Sequence, residues 1–213
     1  MRMRDIMTTN VVTIPSNTSL LEARRIMAAH NVKRLPVVDK NKLIGIVAKE
    51  TLDHSGPSQL TTFSIHELTY MLNKITIAEV MSKKLVTLPP DATAEEGVAT
   101  AQSHKVGSVL IVDKGNLVGI VTTKDMFYKI LNPILGINMP GSRIVIQDCS
   151  EPDALKKVLD AVATAGAKVM SMWIADNAET KKKDFVLHVD KTDPAPIISL
   201  IEKSGCKVEP VAR

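Results

Sequence analysis

The stretch Gly119-Ile120-Val121-Thr122-Thr123-Lys124-Asp125 follows Gly45-Ile46-Val47-Ala48-Lys49-Glu50-Thr51 at an offset of 74 residues. The same offset aligns residues 2–52 with 76–126 without a gap and with 14 identities, among them Met7 with Met81, Val12-Thr13 with Val86-Thr87 and Pro15 with Pro89. So many marks in one register define an internal repeat. A unit of about 50 residues rarely buries its apolar face alone, so each copy must pack against the other.

Each copy has the same order of signals. Val11 to Ile14 reads as a short strand stopped by Pro15, and Ser19 with Glu22, or Thr93 with Glu96, has the spacing of a capping box that starts a helix. Leu20, Ala23 and Met27 share one face of that helix. Two apolar runs, Leu35 to Val38 and Leu43 to Val47, flank a turn at Asp39-Lys40-Asn41-Lys42, and a short helix from Lys49 or Thr123 closes the unit. Between the copies, the loop-like His54-Ser55-Gly56-Pro57-Ser58 precedes a helix with a Ser64–Glu67 capping pair and Ile65, Leu68 and Leu72 at helical spacing.

After Pro133 and Pro140 the pattern changes. Arg143 to Cys149 alternates like a half-buried strand, and a helix carrying Leu155, Val158, Leu159 and Val162 on one face ends near Gly166. Strands over 168–175 and 185–189, a helix over 194–204 and a last strand over 206–211 complete a β-α-β-β-α-β order, the ferredoxin-like arrangement. The expected fold class is therefore α/β (α+β). Its divisions are 1–53, a connecting loop and helix at 54–75, a second repeat at 76–131, a linker at 132–141 and a third unit at 142–213.

Composition narrows the function classes. The net charge of +4 comes from interspersed signs, and aromatics are only 3%, so neither a basic patch nor stacking rings favour a nucleic-acid partner. Cys149 and Cys206 lack metal-ligand or framework spacing, and the five histidines have no paired-ligand spacing. His30 and His104 hold the same repeat position at a helix end, where a cap accounts for them. No stretch is long and apolar enough for a signal or membrane span, and neither a P-loop nor a G-x-G-x-x-G turn occurs. The expectation is a cytoplasmic, non-enzymatic protein without catalytic or metal residues.

The repeats differ most at Thr122 and Asp125, where the first copy has Ala48 and Thr51. Thr122 sits where a strand passes into a helix, so its hydroxyl and the nearby backbone N–H groups suit a phosphate. Asp125 could accept from both hydroxyls of a ribose. The same T-x-x-D spacing is also that of a helix cap.

On Met7, Arg34-Leu35-Pro36-Val37-Val38-Asp39 and Gly45-Ile46-Val47, and on Met81, Ile111-Val112-Asp113 and Gly119-Ile120-Val121-Thr122-x-x-Asp125, residues 1–131 resemble two CBS motifs forming a Bateman module. The resemblance implies binding of an adenine nucleotide or adenosyl compound such as AMP, ADP, ATP or S-adenosylmethionine. It also implies a cleft that joins Ile120, Thr122 and Asp125 to Val12, Val32, Lys33 and Arg34 of the first copy. Val12, Val32 and Ile120 would sandwich adenine, and Lys33 and Arg34 would face phosphate. The mirror cleft, from Ile46, Ala48 and Thr51 with Val86, Val106, Gly107 and Ser108, lacks the phosphate-facing hydroxyl, the ribose carboxylate and the Lys-Arg pair. It is expected to bind poorly.

The third unit resembles an ACT domain. Pro152-Asp153-Ala154-Leu155 stands where amino-acid-binding members commonly carry a glycine, so the resemblance favours a dimerisation role over an amino-acid site, which stays as the alternative. It also places Cys149 and Cys206 near each other, as small buried side chains. With Pro57-Ser58-Gln59-Leu60-Thr61-Thr62 and the helix at 65–72, the order of units is similar to the acetoin-utilisation AcuB group. These resemblances imply a regulatory homodimer, with a metabolic enzyme or a transcriptional protein as partner. The alternative is a ligand-free dimerisation scaffold or accessory subunit of an acetoin-type enzyme.

Overall fold

The structure, a computed structural model, describes residues 1–55 and 65–209. The Pro57–Thr62 stretch, the side-chain pairing of Ser64 with Glu67, and the end of the last expected strand lie outside the described residues. Two compact units divide the chain, Met1–Met126 and Phe127–Arg213.

The first unit contains both repeats. The first comprises α1 (Met3–Ile6), α2 (Leu20–Ala29), β1 (Arg34–Asp39), β2 (Lys42–Ala48) and α3 (Lys49–His54). After α4 (Ile65–Lys74) the second gives α5 (Ile77–Val80), β3 (Thr87–Leu88), α6 (Ala94–Ser103), β4 (Ser108–Asp113), β5 (Asn116–Thr122) and α7 (Thr123–Met126). Local chemistry starts and stops these elements as the sequence suggests. Ser19 Oγ accepts from the Glu22 N–H at 3.2 Å and Thr93 Oγ1 from that of Glu96 at 3.1 Å, and His30 and His104 are the C-caps of α2 and α6. Lys40 and Asn41 both have positive φ, as do Lys114 and Gly115, which gives tight antiparallel hairpins whose twist matches their strands. Ser16 donates to Asp39 through both its N–H, 2.9 Å, and its hydroxyl, 2.5 Å, and holds that carboxyl below its ordinary range.

The repeats are interlocked, because each lends its opening segment to the other. Met3 N–H donates to Ala92 O and Arg4 N–H to Pro90 O, which ties α1 to the second repeat. Reciprocally, Ile77 N–H donates to Thr18 O and Ala78 N–H to Ser16 O, which ties α5 to the first. Ile77 is accordingly buried with Ile14, Leu20, Leu35, Val37, Val47 and Leu52. Thr8 pairs with Ile120, and Ser82 pairs with Ile46. At each crossing a methionine lies under a glycine, Met7 under Gly119 and Met81 under Gly45, so closely that a Cβ would run into the sulfur.

This exchange accounts for one departure from expectation. Val11 to Ile14 forms no strand, only a single parallel bridge from Ile14 to Val37, and its counterpart β3 has two residues. The chain there is passing from one repeat to the other, and Pro15 or Pro89 removes the next ladder donor.

The second unit opens with a π-helical turn, Phe127–Leu131, and α8 (Asn132–Leu135), ended by Gly136 in the left-handed region. Then follow β6 (Ser142–Gln147), α9 (Pro152–Thr164), β7 (Val169–Asp176), β8 (Lys183–Val189), α10 (Ala195–Lys203) and β9 (Lys207–Glu209). Strand order β7-β8-β6-β9, antiparallel throughout, is that of the β-α-β-β-α-β arrangement. The helices cover one sheet face through Ile144, Ile146, Phe185, Leu187, Val158, Ile197 and Ile201. The stretch 132–141, expected as a linker, lies against this sheet within the same unit. Arg143 Nη2 donates to Leu135 O at 2.5 Å, His188 Nε2 lies 3.0 Å from Pro140 O, and Gly136 abuts His188 and Ser171. Cys149 and Cys206 are free thiols close together, and burial first, then Cys206, pushes the Cys149 thiol up to about 11.

Candidate ligand-binding site

The interlock brings each β2 or β5 end beside the first segment of the other repeat, and so creates two clefts related by the 74-residue offset. They differ in the structure. An open cavity of about 230 Å³ lies at the end of β2. Ile46, Val86, Val106 and Leu110 supply aliphatic wall, Ala48 and Gly107 supply backbone, and Thr51, Ser82 and Ser108 supply hydroxyls. Three cations, Arg34, Lys84 and Lys105, line it, with no carboxylate among the lining residues.

Arg34 is the informative member. The sequence pairs it with Lys33 and the Thr122 cleft, but its guanidinium lies over Gly107, where a Cβ would stand 2.5 Å from Nη2. The second repeat has glycine where the first has Lys33, and that missing side chain makes the room. The structure thus brings together Ile46, Thr51, Val86, Val106 and Ser108 and adds Arg34 to them. Sequence reasoning missed Lys84, Lys105 and Ser82, although the offset maps them onto Asn10, Asn31 and Thr8 and exposes the difference in charge.

At the other cleft, Val12 and Val32 pack partly buried against the first repeat's core, Ile120 is buried, and Lys33 is exposed. Thr122 and Asp125 form a closed reciprocal cap. The Thr122 N–H and hydroxyl both donate to Asp125 Oδ2, at 2.9 and 2.6 Å, and the Asp125 N–H donates to Thr122 Oγ1 at 3.3 Å. The Thr123 N–H reaches Gly107 O at 3.2 Å, which ties this cap to the segment over which the Arg34 guanidinium lies in the other cleft. Its counterpart, Lys49 N–H to Lys33 O at 2.8 Å, ties the two ends the same way in the first repeat.

The CBS domain family matches residues 3–54 and 77–132, together just over half of the chain and coincident with the two interlocked repeats. The chain belongs to the CBS-domain family. Its CBS pair is 32% identical over 123 residues to the CBS domain-containing protein YhcV of Bacillus subtilis, covering 58% of this chain and 81% of that one. An inosine-5'-monophosphate dehydrogenase of Korarchaeum cryptofilum is 29% identical over 125 residues, but the chain spans only 23% of that protein's length. The chain spans no more than 35% of the length of the enzymes so named. Among solved structures, a Vibrio cholerae protein named for acetoin utilization, AcuB, is similar with a TM-score of 0.53 and 29% identity, over 71% of this chain and 98% of that one.

Among the described residues no helix is long and apolar enough to cross a membrane. Among the same residues no group of three or more His, Cys, Asp or Glu could hold a metal ion.

Proposed function

We propose that the CBS pair is a regulatory sensor for an adenine nucleotide or adenosyl compound, the class of AMP, ADP, ATP and S-adenosylmethionine, and that an anionic member binds in the cavity at the end of β2. The preformed cavity with three cations, no lining carboxylate and aliphatic walls carries this reading. Phosphates would meet Arg34, Lys84 and Lys105, since charge-assisted hydrogen bonds and point charges favour them. Adenine would lie between Ile46, Val86 and Val106, a sandwich that suits a chain poor in aromatics. This reverses the ranking of the two clefts expected from the motif alone. In the Thr122 cleft the cap engages Asp125 Oδ2, so a ribose there would share that carboxylate with the cap.

The reading extends to a cytoplasmic homodimer that catalyses no reaction itself and regulates a metabolic enzyme or a transcriptional partner, with the second unit as an ACT-like dimerisation element. The closed Thr122–Asp125 cap favours a second reading, a ligand-free scaffold or accessory subunit. Thermal shift separates the two, because a ligand specific to the folded state raises the melting temperature. ATP and AMP should raise it, ATP the more, and Arg34→Ala should weaken ATP by about 10-fold or more, the loss of a charged hydrogen bond. Equal shifts in wild type and Arg34→Ala would refute the cleft assignment, and no shift from any adenine compound would leave the scaffold.

A further inference from the structure

A second open cavity, of about 320 Å³, lies in the first unit beside the turns of its two hairpins and shares no residue with either cleft. Its floor is aliphatic, from the half-buried Val11, Val38, Leu43 and Leu117. Its rim is polar and exposed, from Thr9, Thr13, Asn41 and Asn116. Thr9, Val11 and Thr13 are alternate residues of the segment that crosses between the repeats, and Val12 among them packs instead against the first repeat's core. Asn41 is set at positive φ by its hairpin turn. Among the described residues none of the four rim side chains hydrogen-bonds to the protein. The 74-residue offset separates what the repeat requires from what is particular to this cavity. It carries the floor onto Leu85, Val112, Leu117 and Leu43, aliphatic again, but it carries the rim onto Lys83, Thr87, Gly115 and Lys42. The floor is a packing demand of both copies, whereas the uncharged hydrogen-bonding rim belongs to one.

We infer that this cavity binds an uncharged polyhydroxy compound, a small sugar or polyol, with its hydroxyls on the Thr and Asn rim and its C–H face on the aliphatic floor. Small-molecule sites begin at about 300 Å³ and combine apolar walls with a few convergent polar groups. A threonine hydroxyl and an asparagine carboxamide each both donate and accept, as a sugar hydroxyl does. The lining residues include neither a cation for a phosphate or carboxylate nor a carboxylate for an ammonium, and no ring on which a base would stack. The site stands apart from the nucleotide reading, because the cavity at the end of β2 contributes none of its residues.

The test uses the full chain. Saturation-transfer NMR and calorimetry with glucose, ribose and myo-inositol should show saturable binding of at least one of them, undisturbed by ATP and unchanged in Arg34→Ala. Thr9→Lys and Asn116→Lys copy the offset-related residues onto exposed positions, and Thr13→Val keeps the side chain's shape. All should melt as the wild type does, and each should weaken the sugar about 10-fold or more through loss of its hydrogen bonds. Unaltered sugar affinity in all three variants places the sugar elsewhere and overturns the site. Saturable binding of none of the three probes overturns the inference, as does binding of glucose 6-phosphate where no neutral sugar binds. The nucleotide reading is judged separately, by the thermal shift that ATP gives in the same variants.

Discussion

Gly107 and Arg34 act as a pair. Read along the sequence, glycine in place of Lys33 is the loss of a phosphate-facing charge; in the structure it is the space that admits a guanidinium from the other repeat. No pattern within a single repeat encodes this, because the two residues meet only through the interlock. Gly107→Ala should therefore change global stability by no more than about 0.5 kcal/mol, since the obstructing atoms belong to the flexible end of Arg34. It should nevertheless weaken ATP as much as Arg34→Ala does. Urea melts alongside nucleotide titrations measure both, and unaltered nucleotide affinity would show that Arg34 is not placed by that gap. Thr122 and Asp125 teach the complementary lesson. Their spacing by itself is that of a cap, the family resemblance adds a ribose role, and the hydrogen bonds form the cap.

Among elements, the hairpins and capped helices were legible because local chemistry decides them: turn residues of positive φ, serine or threonine caps, and period-two apolar runs. The elements that were misjudged answer to distant partners. Val11 to Ile14 has strand composition but is committed to crossing between repeats, and 132–141 has the prolines of a linker but lies on a sheet. The methionine–glycine crossings show how tightly such distant partners are fitted. Met7 Cβ, Cγ and Sδ all lie within 3.1 Å of a Cβ built at Gly119, so the obstruction is not confined to a movable tip. Gly119→Ala should cost about 1–3 kcal/mol as overpacking, read as a lowered urea midpoint with an unchanged slope. A cost near zero would mean that α1 can shift without loss.

At the scale of the molecule, the two units can be followed separately. The one tryptophan, Trp173, belongs to the second unit, so its fluorescence reports that unit while circular dichroism reports both. Cys149 lies in the same unit with its thiol raised from 9.0 to about 11. A raised folded-state value favours the neutral thiol in the folded protein. Its contribution is whole below pH 9 and is lost as pH rises through 11, because the unfolded chain ionises first. Fluorescence-detected stability should fall across that window, and Cys149→Ala should flatten the fall while lowering stability at pH 7. An identical alkaline slope in the variant would assign the effect to other groups.

The exchange of α1 and α5 also sets a timetable for synthesis. The segment Met3–Ile6 finds its seat only when residues 90–97 exist, and Leu20 and Leu52 stay uncovered until Ile77 has been made. At roughly 5–20 residues per second, that is a wait of about 5 to 20 seconds for the first helix and about 3 to 11 seconds for Leu20. During this interval a nascent first repeat presents apolar surface that nothing in its own sequence can cover. A chain stalled or cut between the repeats should thus be a client of chaperones or proteases, not a smaller folded protein.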